Sequence, residues 1–210
     1  YPTYLTQMGL WVFFFIVYTG FAFVYKRLFA RNLFLFLVSC FFYYKTSGLF
    51  VMLLLFSTVT DFYFGRQIDR SEHEGRRKLF VTLSVTLNLL VLSYFKYAYF
   101  FTDSYNTIFH TDHKVFNYLA YWGNGFRDKG YFSVDEIVLP VGISFYTFQT
   151  ISYTVDIYRR KLKSLDSILD FGLYVTFFPQ LVAGPIVRAE EFVPQILRPT
   201  SITQPDFTKA

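Results

Sequence analysis

The sequence is poor in charged residues and almost free of cysteine. Only 17% of its 210 residues are Asp, Glu, Lys or Arg, against about a quarter in an ordinary soluble domain. The single cysteine, Cys40, lies inside an apolar run, so an intrachain disulfide is excluded. We interpret it as a small buried hydrophobic residue and not as a reactive thiol.

Apolar and aromatic residues are correspondingly abundant. Hydrophobic residues make up 53% of the chain, which contains 29 Phe and 18 Tyr. Phe tolerates the hydrocarbon core of a bilayer and Tyr favours its headgroup level. The net charge of +5 comes from short clusters between apolar runs and not from one basic face. This distribution argues against a nucleic-acid partner and favours a membrane.

The apolar runs predict an all-α, multi-pass transmembrane bundle. A helix rises about 1.5 Å per residue, so about 20 apolar residues cross a hydrocarbon layer of about 30 Å. We predict that residues 1–210 form part of a single membrane domain. Pro179, Gly184 and Pro185 interrupt the last run, which should be kinked or re-entrant. The predicted spans are 8–25, 32–44, 49–64, 79–101, 137–158 and 168–187, with an outer loop over 102–136.

Basic clusters between these runs predict the orientation. Lys and Arg are retained on the cytoplasmic side of a membrane. The clusters at 26–31, 66–78 and 159–163 fall on one side if the predicted spans all cross, which places the N-terminus outside. The 66–78 segment is predicted as a solvated basic loop. We expect Asp61 to pair with Arg66 near the inner end of its helix, as an anchor; a functional role is the alternative.

One segment, LPVGISFYTFQTISYTVDIY from Leu139, carries a polar stripe on an apolar helix. Pro140 and Gly142 open the helix. Polar groups at membrane depth normally face a bundle interior or a watery cavity and mark substrate pathways. The alternative is hydrogen bonding that only holds helices together. The stripe, at steps of three and four residues, consists of Tyr146, Gln149, Thr150, Tyr153 and Asp156.

A second segment, FFPQLVAGPIVR from Phe177 to Arg188, predicts a broken helix. Membranes tolerate broken helices chiefly where the backbone is buried in protein or lines a cavity. A free helix end there would hold an anionic or carbonyl group. The alternative is a proline-kinked helix that turns out to the surface.

Three strings of the sequence closely resemble the bacterial branch of the membrane-bound O-acyltransferases. Two of them contain the segments just described and extend over 137–160 and 171–188, and the third is Leu89–Phe101. The nearest members of this branch are the alginate O-acetylases and the D-alanyl transferases of teichoic acid. The resemblance implies a bacterial inner-membrane enzyme that moves an acyl group, acetyl in the alginate branch, from a cytosolic donor to hydroxyls of an exported polysaccharide. It implies no bound cofactor, because the donor, acetyl-CoA or a carrier-bound acyl group, is a co-substrate. The implied partners are the lipid bilayer, the donor, and the polysaccharide or an extracytoplasmic acetyltransferase.

The resemblance also implies a substrate tunnel through the membrane. The family's catalytic His belongs to a motif farther toward the C-terminus, and His73, His110 and His113 do not match it. We therefore assign no catalytic residue, expect this chain alone to be inactive, and expect it to be trimmed, since it begins with Tyr1. The residues assigned to the tunnel and its motifs are Pro140, Gly142, Tyr146, Gln149, Tyr153, Asp156, Pro179, Gln180, Gly184, Pro185 and Arg188.

Other classes of protein stay open at this point. A transporter or channel also has broken helices and polar stripes, but it would show inverted repeats, which the sequence lacks. A non-catalytic membrane scaffold is the third possibility. His110 and His113 flank Asp112 on a polar loop, but two such ligands do not make a metal site, and we expect no bound metal.

Overall fold

The computed structural model describes residues 7–125, 133–183 and 187–198. These residues form α-helices and contain no strand, which confirms the predicted all-α class. A short 3-10 turn, Gly48–Phe50, joins the second and third helices. The helices are α1 Gln7–Val24, α2 Leu28–Ser47, α3 Val51–Arg70, α4 Glu74–Phe109, α5 Tyr118–Gly125, α6 Ile143–Tyr158, α7 Ile168–Thr176, α8 Phe178–Ala183 and α9 Ala189–Leu197.

Several helices extend beyond the predicted apolar runs. The predicted basic loop at 66–78 is wrong: α3 continues to Arg70, α4 begins at Glu74, and only Ser71, Glu72 and His73 separate them. The predicted outer loop at 102–136 is also shorter, because α4 continues to Phe109 and α5 follows. Adding a polar residue to an existing helix costs far less than starting one. Helix ends therefore lie past the limits of hydrophobicity.

The chain reverses direction between α2 and α3. Gly48 has φ +61° and ψ −134°, a conformation open essentially only to glycine. Both helices then pack against α7, so that Phe36 of α2 and Phe62 of α3 each contact its first half, near Gly172 and Phe171 respectively. α2 and α3 therefore run antiparallel on either side of α7.

The centre of the molecule is formed by α3, α4 and α6, with α7 inserted between α2 and α3. Its buried residues are largely aliphatic and aromatic, and they include Leu54, Ile68, Ile143 and Phe171. Apolar side chains also cover much of the outside: Trp11 and Phe23 of α1 are 72% and 83% exposed.

Two buried arginines join helices at one end of the bundle, which we call the basic end: the starts of α2, α4 and α7 and the ends of α3, α6 and α9. Arg77 donates to the carbonyl oxygens of Ile68 (3.1 Å), Ile157 (3.1 Å) and Tyr158 (2.7 Å). The last carbonyls of a helix have no partner within the helix. Arg77 thus satisfies the end of α6 and attaches it to α3.

Arg31 acts similarly on α9. Its guanidinium donates to the carbonyl oxygens of Ile196 (2.5 Å) and Arg198 (3.0 Å). The neighbouring Asn32 donates to Asp170 (2.7 Å) at the start of α7. The start of α2 therefore holds α7 and α9 at the same end.

Replacing Arg77 tests this arrangement. Arg77→Ala removes a donor from two buried carbonyl oxygens and one half-buried carbonyl oxygen, and we expect a loss of about 2 kcal/mol in unfolding free energy. The neighbouring Arg76 is exposed, so Arg76→Ala removes the same charge without that loss. Unfolding of both variants in detergent by denaturant titration measures the difference, and equal stabilities would contradict the role of Arg77.

Candidate functional site

The polar stripe of α6 faces the interior of the bundle. Tyr146, Gln149, Thr150 and Tyr153 are each at most 1% exposed, whereas Phe148 on the other face is 49% exposed. Asp156, at the end nearest the basic cluster, is half-buried. Four side chains of the stripe are thus surrounded by protein.

Opposite this stripe, a helix ends in the middle of the bundle. α7 has nine residues, a length of about 13 Å, less than half of a hydrocarbon layer. Phe177 then adopts an extended conformation, with φ −53° and ψ 106°. The predicted interruption is therefore present, two residues before Pro179.

Side chains from neighbouring helices satisfy the backbone at this break. Gln149 Nε2 donates to the carbonyl oxygen of Tyr174 at 2.8 Å, in the last turn of α7. The amide of Phe178 donates to Ser39 Oγ of α2 at 3.3 Å. Non-helical backbone at membrane depth requires such partners. Gln149 is therefore bound directly to the broken helix.

Beyond the break, α8 continues away from the basic end and α9 returns to it. A Cβ atom on Gly142, whose φ is +73°, would lie 3.4 Å from the Leu181 carbonyl oxygen, so α8 reaches the start of α6. In α9, the Phe192 ring packs against Tyr174 and Phe177, with centroids 5.7 and 5.3 Å apart. α7 begins and α9 ends at the basic end, so α7, α8 and α9 together return to the end from which α7 starts, and we call these three helices the re-entrant segment.

Several buried oxygen atoms near the break have no hydrogen-bond partner among the described residues. They are Tyr146 Oη, Thr147 Oγ1 and Gln149 Oε1 of α6, and Thr176 Oγ1 of α7. α6 and α7 run antiparallel, with Gln149 beside Tyr174, so Tyr146 and Thr176 lie at about the same level. An unsatisfied buried polar atom costs about 1–3 kcal/mol. Hydroxyl donors and an amide acceptor match a ligand with carbonyl and hydroxyl groups.

The other residues assigned to the tunnel are spread along this segment. Pro140 is buried just before α6, and Gln180 is buried in α8. Pro179 is exposed, and so is Arg188, whose carbonyl oxygen begins α9. Gly184 and Pro185 lie outside the described residues.

One residue of the stripe, Tyr153, makes a hydrogen bond that holds the structure together. Tyr153 Oη accepts a hydrogen bond from the Leu165 amide at 2.9 Å and fixes the loop between α6 and α7. The hydrogen bond of Tyr153 is thus structural, whereas a substrate pathway along the stripe stays a prediction.

The expected pairing of Asp61 with Arg66 is wrong. Asp61 is fully buried and accepts hydrogen bonds from Ser84 of α4 (2.7 Å) and Asn88 of α4 (2.8 and 2.9 Å). Arg66 points instead to Asp166, at 3.8 Å. Asp61 faces inward because α3, α4 and α6 pack against one another and this face of α3 meets the other two.

Sequence reasoning also missed the polar residues around Asp61 and the Arg31–Asn32–Asp170 group. A sequence pattern does indicate the group around Asp61. Two pairs of polar residues lie four positions apart within apolar runs, Ser57 with Asp61 and Ser84 with Asn88, and this spacing places each pair on one helix face. The Arg31–Asn32–Asp170 group joins residues 138 positions apart, and no local pattern indicates it.

An open groove of about 970 Å³ lies along the C-terminal half of α4, away from the broken helix. It is mostly apolar and is bounded by α4, by residues 113–119 and by Ile137. None of the residues assigned to the tunnel lines it. Within the described ranges no three His, Cys, Asp or Glu side chains converge on one point.

Known proteins similar to this chain are bacterial O-acetylases. The chain is 36% identical to a probable alginate O-acetylase of Pseudomonas aeruginosa over 166 residues, which cover 79% of the chain and 29% of that protein. It is 36% identical to a probable alginate O-acetylase of Azotobacter vinelandii, covering 79% and 30%. It is 30% identical to a peptidoglycan O-acetyltransferase of Helicobacter pylori, covering 78% and 32%.

The chain thus spans about three tenths of the length of these relatives. No protein-family profile matches it, and no solved structure does. The class predicted from the two strings is confirmed: the chain belongs to the membrane-bound O-acyltransferases, in the bacterial branch that includes the alginate and peptidoglycan O-acetylases.

Two tyrosines of the stripe give a matched test of the site. Tyr153→Phe removes the acceptor of the buried Leu165 amide, and we expect a loss of about 1–2 kcal/mol in unfolding free energy. Tyr146→Phe removes a hydroxyl that has no partner among the described residues, and we expect no loss or a small gain. Denaturant unfolding in detergent measures both, and a larger loss for Tyr146→Phe would contradict this assignment.

Proposed function

We propose that this chain forms part of a membrane-bound O-acetyltransferase that moves an acetyl group from a cytosolic donor to hydroxyls of an exported polysaccharide. The observation that carries the proposal is the similarity to named O-acetylases over nearly four fifths of the chain. The two strings that carry the resemblance to the family form the stripe of α6 and the re-entrant segment beside it.

A multi-pass position in the membrane is supported by the long apolar helices. By length and composition, Leu28–Arg70 and Glu74–Phe109 are each able to cross a membrane, and the first comprises two antiparallel helices, α2 and α3. Each of these two has 20 residues, which is about 30 Å of helix. Exposed Phe, Leu and Trp side chains on α1, α2 and α4 suit contact with lipid tails and not with water.

The basic end is the cytoplasmic end in this proposal. The exposed residues Arg159, Arg160, Lys161 and Lys163 follow α6 there, and Arg70 ends α3. Basic residues in short loops are retained in the cytoplasm. The re-entrant segment then enters from the side on which an acetyl thioester donor is made, and the start of α6 faces the acceptor side.

Transfer of an acetyl group breaks its bond to the donor and forms an ester with the acceptor oxygen, whose proton passes to the leaving group. Tyr146 and Thr176 offer hydroxyl donors that suit the carbonyl oxygen of such a group inside protein, and Gln149 Oε1 offers an acceptor that suits a hydroxyl. They position it and do not supply the general base, which we assign to a part of the protein beyond this chain. A partner that carries acetyl groups onward to the polysaccharide outside the cell also belongs to the proposal.

The activity test uses the full-length enzyme in membrane vesicles with a radiolabelled acetyl donor. Gln149→Leu removes the amide beside the break, and Arg188→Gln removes the charge at the start of α9. We expect each to lower acetyl transfer at least tenfold, about 1.4 kcal/mol of transition-state stabilisation, with unchanged membrane insertion.

The lipid-facing change Phe148→Leu is the control, and it should keep full activity. The 210-residue chain alone should transfer no acetyl group. Wild-type rates in both Gln149 and Arg188 variants, or activity of the short chain, would refute the proposed roles.

Cysteine labelling tests the orientation. Cys40 is the only cysteine among these 210 residues, so a Cys40→Ser background of this chain permits single-site labelling. In intact spheroplasts a membrane-impermeant maleimide should react with Lys114→Cys, near the outer groove, and not with Lys163→Cys at the basic end. After lysis both should react. Labelling of Lys163→Cys alone before lysis would reverse the topology.

A further inference from the structure

Asp61 lies at the centre of the bundle in contact with three helices. It is the eleventh residue of the 20 in α3 and is fully buried. Ser84 and Asn88 approach it from α4, and Thr150 and Thr154 of α6 lie behind them, with Thr150 Oγ1 3.3 Å from Asn88 Oδ1 and Thr154 Oγ1 3.3 Å from Ser84 Oγ. No residue of the re-entrant segment contacts it among the described hydrogen bonds.

An ionised carboxylate at this place would lack a counter-charge. Within the described ranges no Lys, Arg or His nitrogen lies within 4 Å of the Asp61 carboxyl group. Burying a carboxylate without a cation is very unfavourable, so the group takes up a proton or a metal ion instead. The hydrogen bonds and the space around the Asp61 carboxyl group show which of the two, a proton or a metal ion, fits there.

The space is too small for a metal ion with its ligands. The cavity beside Asp61, lined by Ser57, Thr60 and Asn88 among others, has a volume of about 10 Å³. A single water needs about 10–15 Å³, and an ion would need several further oxygen ligands around it. Moreover Asn88 directs its NH2 group, a donor, at both carboxyl oxygens, and a donor repels a cation.

The hydrogen bonds accommodate a proton on one oxygen. Oδ1 accepts from Ser84 at 2.7 Å and Asn88 at 2.8 Å, whereas Oδ2 has Asn88 at 2.9 Å and only a distant Ser57 Oγ, at 3.4 Å. The Ser57 hydroxyl lies 3.2 Å from Asn88 Oδ1. A proton on Oδ2 donates to Ser57 and Ser57 donates to Asn88 Oδ1, so Asp61, Ser57 and Asn88 each act as both donor and acceptor.

We propose that Asp61 is a proton-binding site in which the neutral carboxylic acid, with Ser57, Ser84 and Asn88, joins α3 to α4 and, through Thr150 and Thr154, to the stripe-bearing helix α6. This site is separate from the acetyl-transfer site. Proton binding here is reversible association with one carboxyl oxygen, and no other bond changes.

Other titratable groups do not face Asp61. Ser84 and Asn88 on α4 and Thr150 and Thr154 on α6 do not titrate. Tyr153 of α6 and Tyr174 of α7 face each other, with centroids 6.3 Å apart. On α3 itself, Arg66 extends to Asp166, and Asp69 accepts hydrogen bonds from Ser164 at the basic end.

Infrared difference spectroscopy of the full-length protein in lipid nanodiscs tests the proposal. At neutral pH, wild type minus Asp61→Asn should show the C=O stretching band of a protonated carboxyl group, with a shift in heavy water. Asp170→Asn is the matched control: Asp170 is also buried, but it lies beside Arg31 and bonds Asn32, so its removal should leave the band intact. Ser84→Ala, which removes a donor to Oδ1, should shift the band without abolishing it.

Thermal unfolding gives a second readout. The unfolded chain has an ionised Asp at neutral pH, so the folded protein binds one more proton, and its stability should fall as pH rises. Asp61→Asn, whose amide donates as the acid does, should fold and lose that component of the pH dependence. Absence of the carboxyl band at neutral pH overturns the proposal. So does a sodium-dependent stabilisation that Asp61→Asn abolishes, since it would show a metal site.

Discussion

Polar groups withdrawn from water must find partners, and this requirement organises the whole bundle. Helices that end inside protein leave carbonyl groups without intrahelical donors. Arg77 supplies them at the end of α6, Arg31 at the end of α9, and Gln149 in the last turn of α7. Each donor comes from another helix, so satisfying a helix end also fixes its neighbour.

α6 carries two groups of polar side chains: one group is hydrogen-bonded to other helices, and the other has buried oxygen atoms without partners among the described residues. Thr150 and Thr154 join the hydrogen-bonded group around Asp61 between α3 and α4. Tyr146 and Gln149 face the broken helix, where oxygen atoms are buried without partners in the part of the chain that the structure describes. A satisfied network makes a rigid support, and unsatisfied groups next to it are where a substrate has something to bond. The rigid side therefore supports the side to which we assign function.

The similarity to alginate and peptidoglycan O-acetylases agrees with this division. These relatives are more than twice as long as the chain, and we assign the general base of the reaction to the remainder. What the chain contributes is a scaffold: antiparallel helices, a re-entrant segment held at the basic end, and a polar face on α6. In such an enzyme, precise support of a bound acyl group is itself a source of rate, because orientation reduces the entropic part of the barrier.

Local pattern alone determined the all-α class, the apolar runs, the stripe of α6 and the interruption near Pro179, because these depend on periodicity and on the missing amide of proline. It also determined the family, through two uncommon strings. Only the tertiary structure decided that Asp61 faces Asn88 and not Arg66, that the 66–78 segment is mostly helical, and that Arg31 holds α9. The reason is physical: a charged side chain selects its partner from whatever packing brings within about 3 Å, and packing joins residues that are far apart in the chain.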